Sequence, residues 1–230
     1  MGSSSSSAQV VTRTVDEEET YARKIDDFHD VLRRSSCHQG QDIFGTGSFA
    51  LHRYIHSPAV VTPSIVLPKG SQKWQFSDID FIIRNRSPAA FESEVQNICT
   101  ALGGQATGYT DFVAQLVKNR SDPSFVARHQ HLRGKMICVL PQPYQQIAPC
   151  VSFMDIGDTT IDQHLDQALP PACLGYQLAN PSHWTVGKAG FPSKDRIIEH
   201  HDIPLAHSQK YTPRGFTFEL RPTDTLYSDS

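Results

Sequence analysis

Residues 76–84 read FSDIDFIIR, and the alternation in this stretch decides the fold. Aromatic and β-branched residues of this density favour a strand. Side chains on a strand point alternately to its two faces, so Ile79, Phe81 and Ile83 share one face while Asp78 and Asp80 share the other, with Ile82 beyond Asp80. Two carboxylates side by side repel each other, and one of them tends to keep its proton. A divalent cation reverses that balance, because Mg²⁺ prefers carboxylate oxygens together with substrate phosphates.

Upstream, Gly45–Ile55 reads GTGSFALHRYI. A short strand, DIF, runs into a glycine turn, and a helix is expected from Ser48 to His56. Bare backbone N–H groups at such a turn and at a helix N-terminus favour an anion. Gly45, Gly47 and Ala50 also fit the dinucleotide fingerprint G-x-G-x-x-A. That reading fails on context: a dinucleotide fold wants a near-continuous apolar strand before its glycines. Here SSCHQGQDIF precedes them, with only two large apolar residues.

Downstream, CVSFMDIGD places Asp155 at the end of an apolar strand. If that strand lies beside the first, Asp155 is expected next to Asp78 and Asp80. Three carboxylates can hold two metal ions, one lowering the pKa of a hydroxyl and one on a triphosphate. The bland alternative makes Asp155 a turn residue ahead of Gly157. Asp158 competes for the same role but falls beyond that glycine.

The order of these islands, with KYTPRGF (Lys210, Tyr211, Arg214, Gly215, Phe216) after them, resembles the polymerase-β-type nucleotidyltransferase superfamily. It is most similar to the small nucleotidyltransferase-fold proteins of giant DNA viruses and some protists, across about residues 41–218. The resemblance implies an α/β (α+β) fold: a small mixed, twisted sheet with flanking helices. It implies transfer of a nucleoside monophosphate from a nucleoside triphosphate such as ATP to a hydroxyl acceptor, with release of pyrophosphate. Asp78, Asp80 and Asp155 would be the catalytic and metal residues, holding two Mg²⁺ or Mn²⁺ ions. Gly47 and Ser48 would meet the β- and γ-phosphates, leaving Gly45 to shape the turn. Lys210 and Arg214 would neutralise triphosphate oxygens. The acceptor class is open: an RNA end, a protein or a small molecule. The rival reading is a non-catalytic protein of this fold used for binding or viral particle assembly.

Composition narrows the partners. Hydrophobic residues make up 38% of the 230, enough for a packed core, and a net charge of −3 gives no support to sequence-blind binding of nucleic acid or anionic membrane. No apolar run reaches the ~20 residues that span a bilayer, so no membrane partner is expected. Five scattered cysteines without a C-x-x-C suggest reduced thiols and an intracellular, cytoplasmic setting, the host cytoplasm or a virion if the chain is viral. Residues 1–14 read as a flexible serine-rich tail and 15–230 as one domain, with a core at about 41–160 and an extension at about 161–230.

Further elements follow from periodicity and caps. Asp16–Arg34 is an expected helix with Tyr21, Ile25, Phe28 and Leu32 on one stripe. Ser87 and Pro88 open another helix, which Gly103 and Gly104 end. Strands are expected over Lys135–Leu140 and Ile147–Ile156, a helix over Thr159–Ala168, a last helix near Ser193–His200 and a strand at Phe216–Leu220. Asp111–Asn119 reads equally as strand or short helix. Trp74 and Phe76 are expected in the core more than on a base. The pairs His129/His131 and His200/His201 read as surface histidines more than metal ligands.

Overall fold

The computed structural model describes residues 10–11, 15–56, 73–74, 76, 78–112, 130–168, 174–187, 190–192, 196–200 and 217–221. In chain order the elements are β1 (Val10–Val11), α1 (Val15–Ser35), β2 (Ile43–Thr46), α2 (Gly47–His56), β3 (Lys73–Trp74), β4 (Ile79–Ile83), α3 (Pro88–Ala101), β5 (Gln105–Ala106), β6 (Thr110–Asp111), β7 (Gly134–Val139), β8 (Cys150–Asp155), α4 (Ile161–Gln167), β9 (Leu174–Gln177), β10 (Trp184–Val186), β11 (Gly190–Pro192), β12 (Arg196–His200) and β13 (Thr217–Arg221). The fold is α+β, with a mixed sheet and a few helices against it.

The main sheet runs β10-β9-β2-β4-β8-β7-β5, with β6 also on β7. Only β4 and β8 pair in parallel within it. That pairing requires a crossover, and α3 supplies it. Ser87 caps α3 by accepting from the Ala90 N–H at 3.2 Å, with Pro88 in the first position, as the sequence signature requires. The helix ends at Gly103, whose φ of +70° is a left-handed conformation that glycine adopts without strain.

The two faces of the sheet are covered differently. On one face Ile43, Ile79, Phe81, Ile83, Val151, Phe153, Met136 and Tyr176 pack under α1, α2 and α3. The α1 stripe of Tyr21, Ile25, Phe28 and Leu32 is buried there, as its spacing predicts. On the other face a smaller cluster of Phe44, Ile82, Met154, Phe112, Leu132 and Ile156 packs against Ile161 and Leu165 of α4. A reciprocal capping box of Thr160 and Gln163 starts that helix.

Three expectations change. Residues 196–200 form β12, not the end of a helix, because Arg196–His200 pair in parallel with Thr217–Arg221; the β-branched Ile197 and Ile198 suit that pairing. β9 and β10 extend the sheet where no strand was expected; β9 pairs with β2. Cys99 of α3 is disulfide-bonded to Cys138 of β7, with Cα atoms 5.8 Å apart, against the expectation of reduced thiols. Of Asp111–Asn119, Asp111 belongs to β6, Phe112 is buried, and residues 113–119 lie outside the described set. Among the described residues, no helix is long and apolar enough to cross a membrane.

Candidate nucleotide site

The geometry grows from the β2–α2 corner. β2 pairs antiparallel with β4 so that Thr46 lies across from Asp80. The next residue, Gly47, opens α2 with φ +69°, and a Cβ there would lie 3.0 Å from Asp80 Oδ2. The Asp80 carboxylate therefore packs on bare Gly47 backbone at the N-terminus of a ten-residue helix, where negative charge is favoured. Ser48 follows and is buried. Phe49, Ala50 and Leu51 anchor α2 in the core, so the corner is held by packing.

Gly45 has a different duty. Its Cβ would collide with the ring of Tyr176, 2.7 Å from the hydroxyl oxygen, so a side chain is excluded by packing on the helix-covered face. This agrees with Gly45 as a shaping residue.

Strand parity separates the acids. Directly paired residues on neighbouring strands point to the same side of a sheet. Asp80 pairs with Ser152, whereas Asp155 pairs with Ile83. Phe81 and Phe153 also pair, and their rings stack at 5.9 Å on the helix-covered face. Asp155 thus shares the face of Val151 and Phe153, opposite to Asp80. The expected cluster of Asp78, Asp80 and Asp155 does not form.

Asp155 instead anchors structure. It is fully buried and accepts from Arg133 Nε at 3.2 Å and Nη2 at 2.8 Å, from Tyr109 Oη at 3.1 Å and from the Gly157 N–H at 2.9 Å. A buried carboxylate needs such partners, and they make it the turn residue ahead of Gly157. Burial, then the Asp155 charge, pushes the Tyr109 hydroxyl up to about 12, so Tyr109 stays a donor. Arg133 also donates to the Arg86 carbonyl. Arg86 in turn bonds Glu94 at 2.7 Å and Asp42 at 3.1 Å. This ionic chain ties β8 to α3 and to the start of β2.

The side of Asp78 and Asp80 carries other groups. Cys150 and Ser152 of β8 share it, with Ile137 and Lys135 of β7 beyond them. Burial, followed by the Asp78 and Asp80 charges, raises the Cys150 thiol above its ordinary value, with Lys135 opposing. Thr46 donates from Oγ1 to the Leu174 carbonyl at 3.0 Å. Thr46, Ser152 and Cys150 were not foreseen. Cys150 and Ser152 were legible within CVSFMD, since they alternate with apolar Val151 and Phe153.

Lys210 and Arg214 lie outside the described residues, as do His129 and His201. His131 is half-buried, and its Nε2 lies 2.6 Å from Nδ1 of the buried His164. Phe76 is in the core, edge-on to Phe49 at 5.2 Å. Among the described residues no three His, Cys, Asp or Glu side chains are grouped to hold a metal ion. The three-acid, two-ion site does not fit this arrangement. Asp78 and Asp80 with phosphate oxygens can still supply hard oxygen ligands for one ion. No protein-family model, no curated protein and no solved structure matches this chain.

Proposed function

We propose that the Gly47–Asp80 corner binds a nucleoside triphosphate together with a divalent cation, and that the activity it serves is nucleotidyl transfer to a hydroxyl acceptor. The observation that carries this reading is the Asp80 carboxylate packed on bare Gly47 backbone at the start of α2. A triphosphate reaching those amides would lie beside Asp80 and be repelled unless a cation bridged them. Asp78 and Asp80 would hold the cation, which would neutralise phosphate charge. Gly47 would admit the phosphates to the backbone, and Ser48 would add a hydroxyl. Asp155 has no part in it.

A second reading, nucleotide binding without catalysis, is favoured by Ser152 standing in register with Asp80. Among the described residues no carboxylate is then positioned to activate the acceptor hydroxyl. One experiment separates the readings. The chain is incubated with each α-³²P-labelled triphosphate, Mg²⁺ or Mn²⁺, and a pool of RNA, protein and small-molecule acceptors. Label carried to an acceptor and lost in Asp80→Asn supports transfer. Triphosphate binding without label transfer supports the binding protein. Absence of both overturns the proposal.

A further inference from the structure

We infer that this site takes one divalent cation with its nucleotide, and that Ser152 occupies the place where a third carboxylate would have to stand to hold a second. The inference rests on the triphosphate reading above. Asp80 is flanked across the sheet by Thr46 on β2 and Ser152 on β8. Directly opposite residues have Cβ atoms about 5 Å apart, within the span over which two carboxylates can share an ion. Neither neighbour is an acid.

The other groups within reach do not substitute. Thr46 has its hydroxyl proton on the Leu174 carbonyl. Cys150 presents a thiol, which suits soft metals rather than Mg²⁺. Asp155 is on the opposite face and committed to Arg133, Tyr109 and Gly157. Two carboxylates balance the charge of one divalent ion. Among the described residues, a second ion would have only neutral oxygens and the nucleotide.

The test counts bound Mn²⁺ by electron paramagnetic resonance, with MnCl₂ and saturating α,β-methylene-ATP, whose bridging carbon blocks transfer. One nucleotide-dependent Mn²⁺ per chain is expected in the wild type and in Asp155→Asn. Two are expected in Ser152→Asp. Two in the wild type would overturn the inference and leave the triphosphate reading standing. Loss of the ion in a folded Asp155→Asn would overturn it by making Asp155 a ligand. A count still at one in a folded Ser152→Asp would overturn the assignment of that position. No nucleotide-dependent Mn²⁺, with the count repeated on the α,β-methylene analogues of GTP, CTP and UTP, would overturn the triphosphate reading itself. If Ser152→Asp does not fold, the wild-type count decides.

Discussion

Asp80 and Asp155 point to opposite faces of one sheet: Asp80 is in register with Ser152, and Asp155 with Ile83. Two acids that the sequence places near each other are thereby given unrelated work. One sits against the backbone of a glycine turn, and the other, itself buried, neutralises the half-exposed Arg133.

Asp155→Ala should therefore cost stability. It leaves Arg133 and Tyr109 without their shared acceptor. Breaking a buried ion pair costs about 3–5 kcal/mol; Arg133 is 38% exposed on its side chain, so about 2–3 kcal/mol is expected. Urea unfolding measures it. A loss below about 0.5 kcal/mol would remove Asp155 from the structural role.

Gly45→Ala should also cost stability, without touching any phosphate. The new methyl would drive into the Tyr176 ring, which is fully buried against Phe81 and Trp184 and has nowhere to move. Overpacking of this kind costs about 1–3 kcal/mol. A melting temperature equal to the wild type would contradict the packing argument.

Gly47→Val should act on binding. It forces a β-branched residue into a left-handed conformation and sets its Cβ against Asp80 Oδ2. Calorimetry with Mg²⁺ should show ATP, GTP, CTP and UTP weakened alike, because backbone amides do not read the base. Ser48→Ala should be milder, since a neutral hydrogen bond contributes about 0.5–1.5 kcal/mol. Selective loss of one nucleotide would mean that the turn touches the base.

His29 gives the fold a pH dependence. It is buried, stacked on Tyr176 at 5.4 Å. Burial, then Arg53 and Arg33, lower its pKa from 6.5 to about 3. The unfolded chain thus binds a proton that the folded chain refuses. This contribution is full above pH 6.5 and falls as pH drops from 6.5 toward 3, by about 1.4 kcal/mol per unit. Between pH 6.5 and 5 the wild type should lose about 2 kcal/mol more than His29→Leu in urea unfolding. Equal slopes would contradict a neutral buried His29.

Local signals carried most of the fold. The α1 stripe, the Ser87–Pro88 cap and the alternation of β4 each follow from residues close in sequence. β9 and β10 were not legible, because short strands take their stability from pairing with β2 and with each other. Residues 196–200 were misread for the same reason.

The site was half legible. Gly47, Asp78 and Asp80 are set by a turn and a parity that sequence shows directly. The register of β8 against β4 depends on how far the α3 crossover displaces the chain, which no local pattern gives. Yet parity within β8 carried a warning. Asp155 alternates in step with Val151 and Phe153, the apolar face, while Asp78 and Asp80 alternate out of step with theirs. Its burial beside Arg133 then required tertiary structure to see.

The most direct test of the central claim is calorimetric titration with Mg²⁺ and α,β-methylene-ATP of three chains: wild type, Asp80→Asn and Asp155→Asn, each first shown to be folded by its melting transition. The account predicts saturable one-to-one binding in the wild type and Asp155→Asn, and at least a tenfold weakening in Asp80→Asn. Binding unchanged in Asp80→Asn but lost in a folded Asp155→Asn would contradict it.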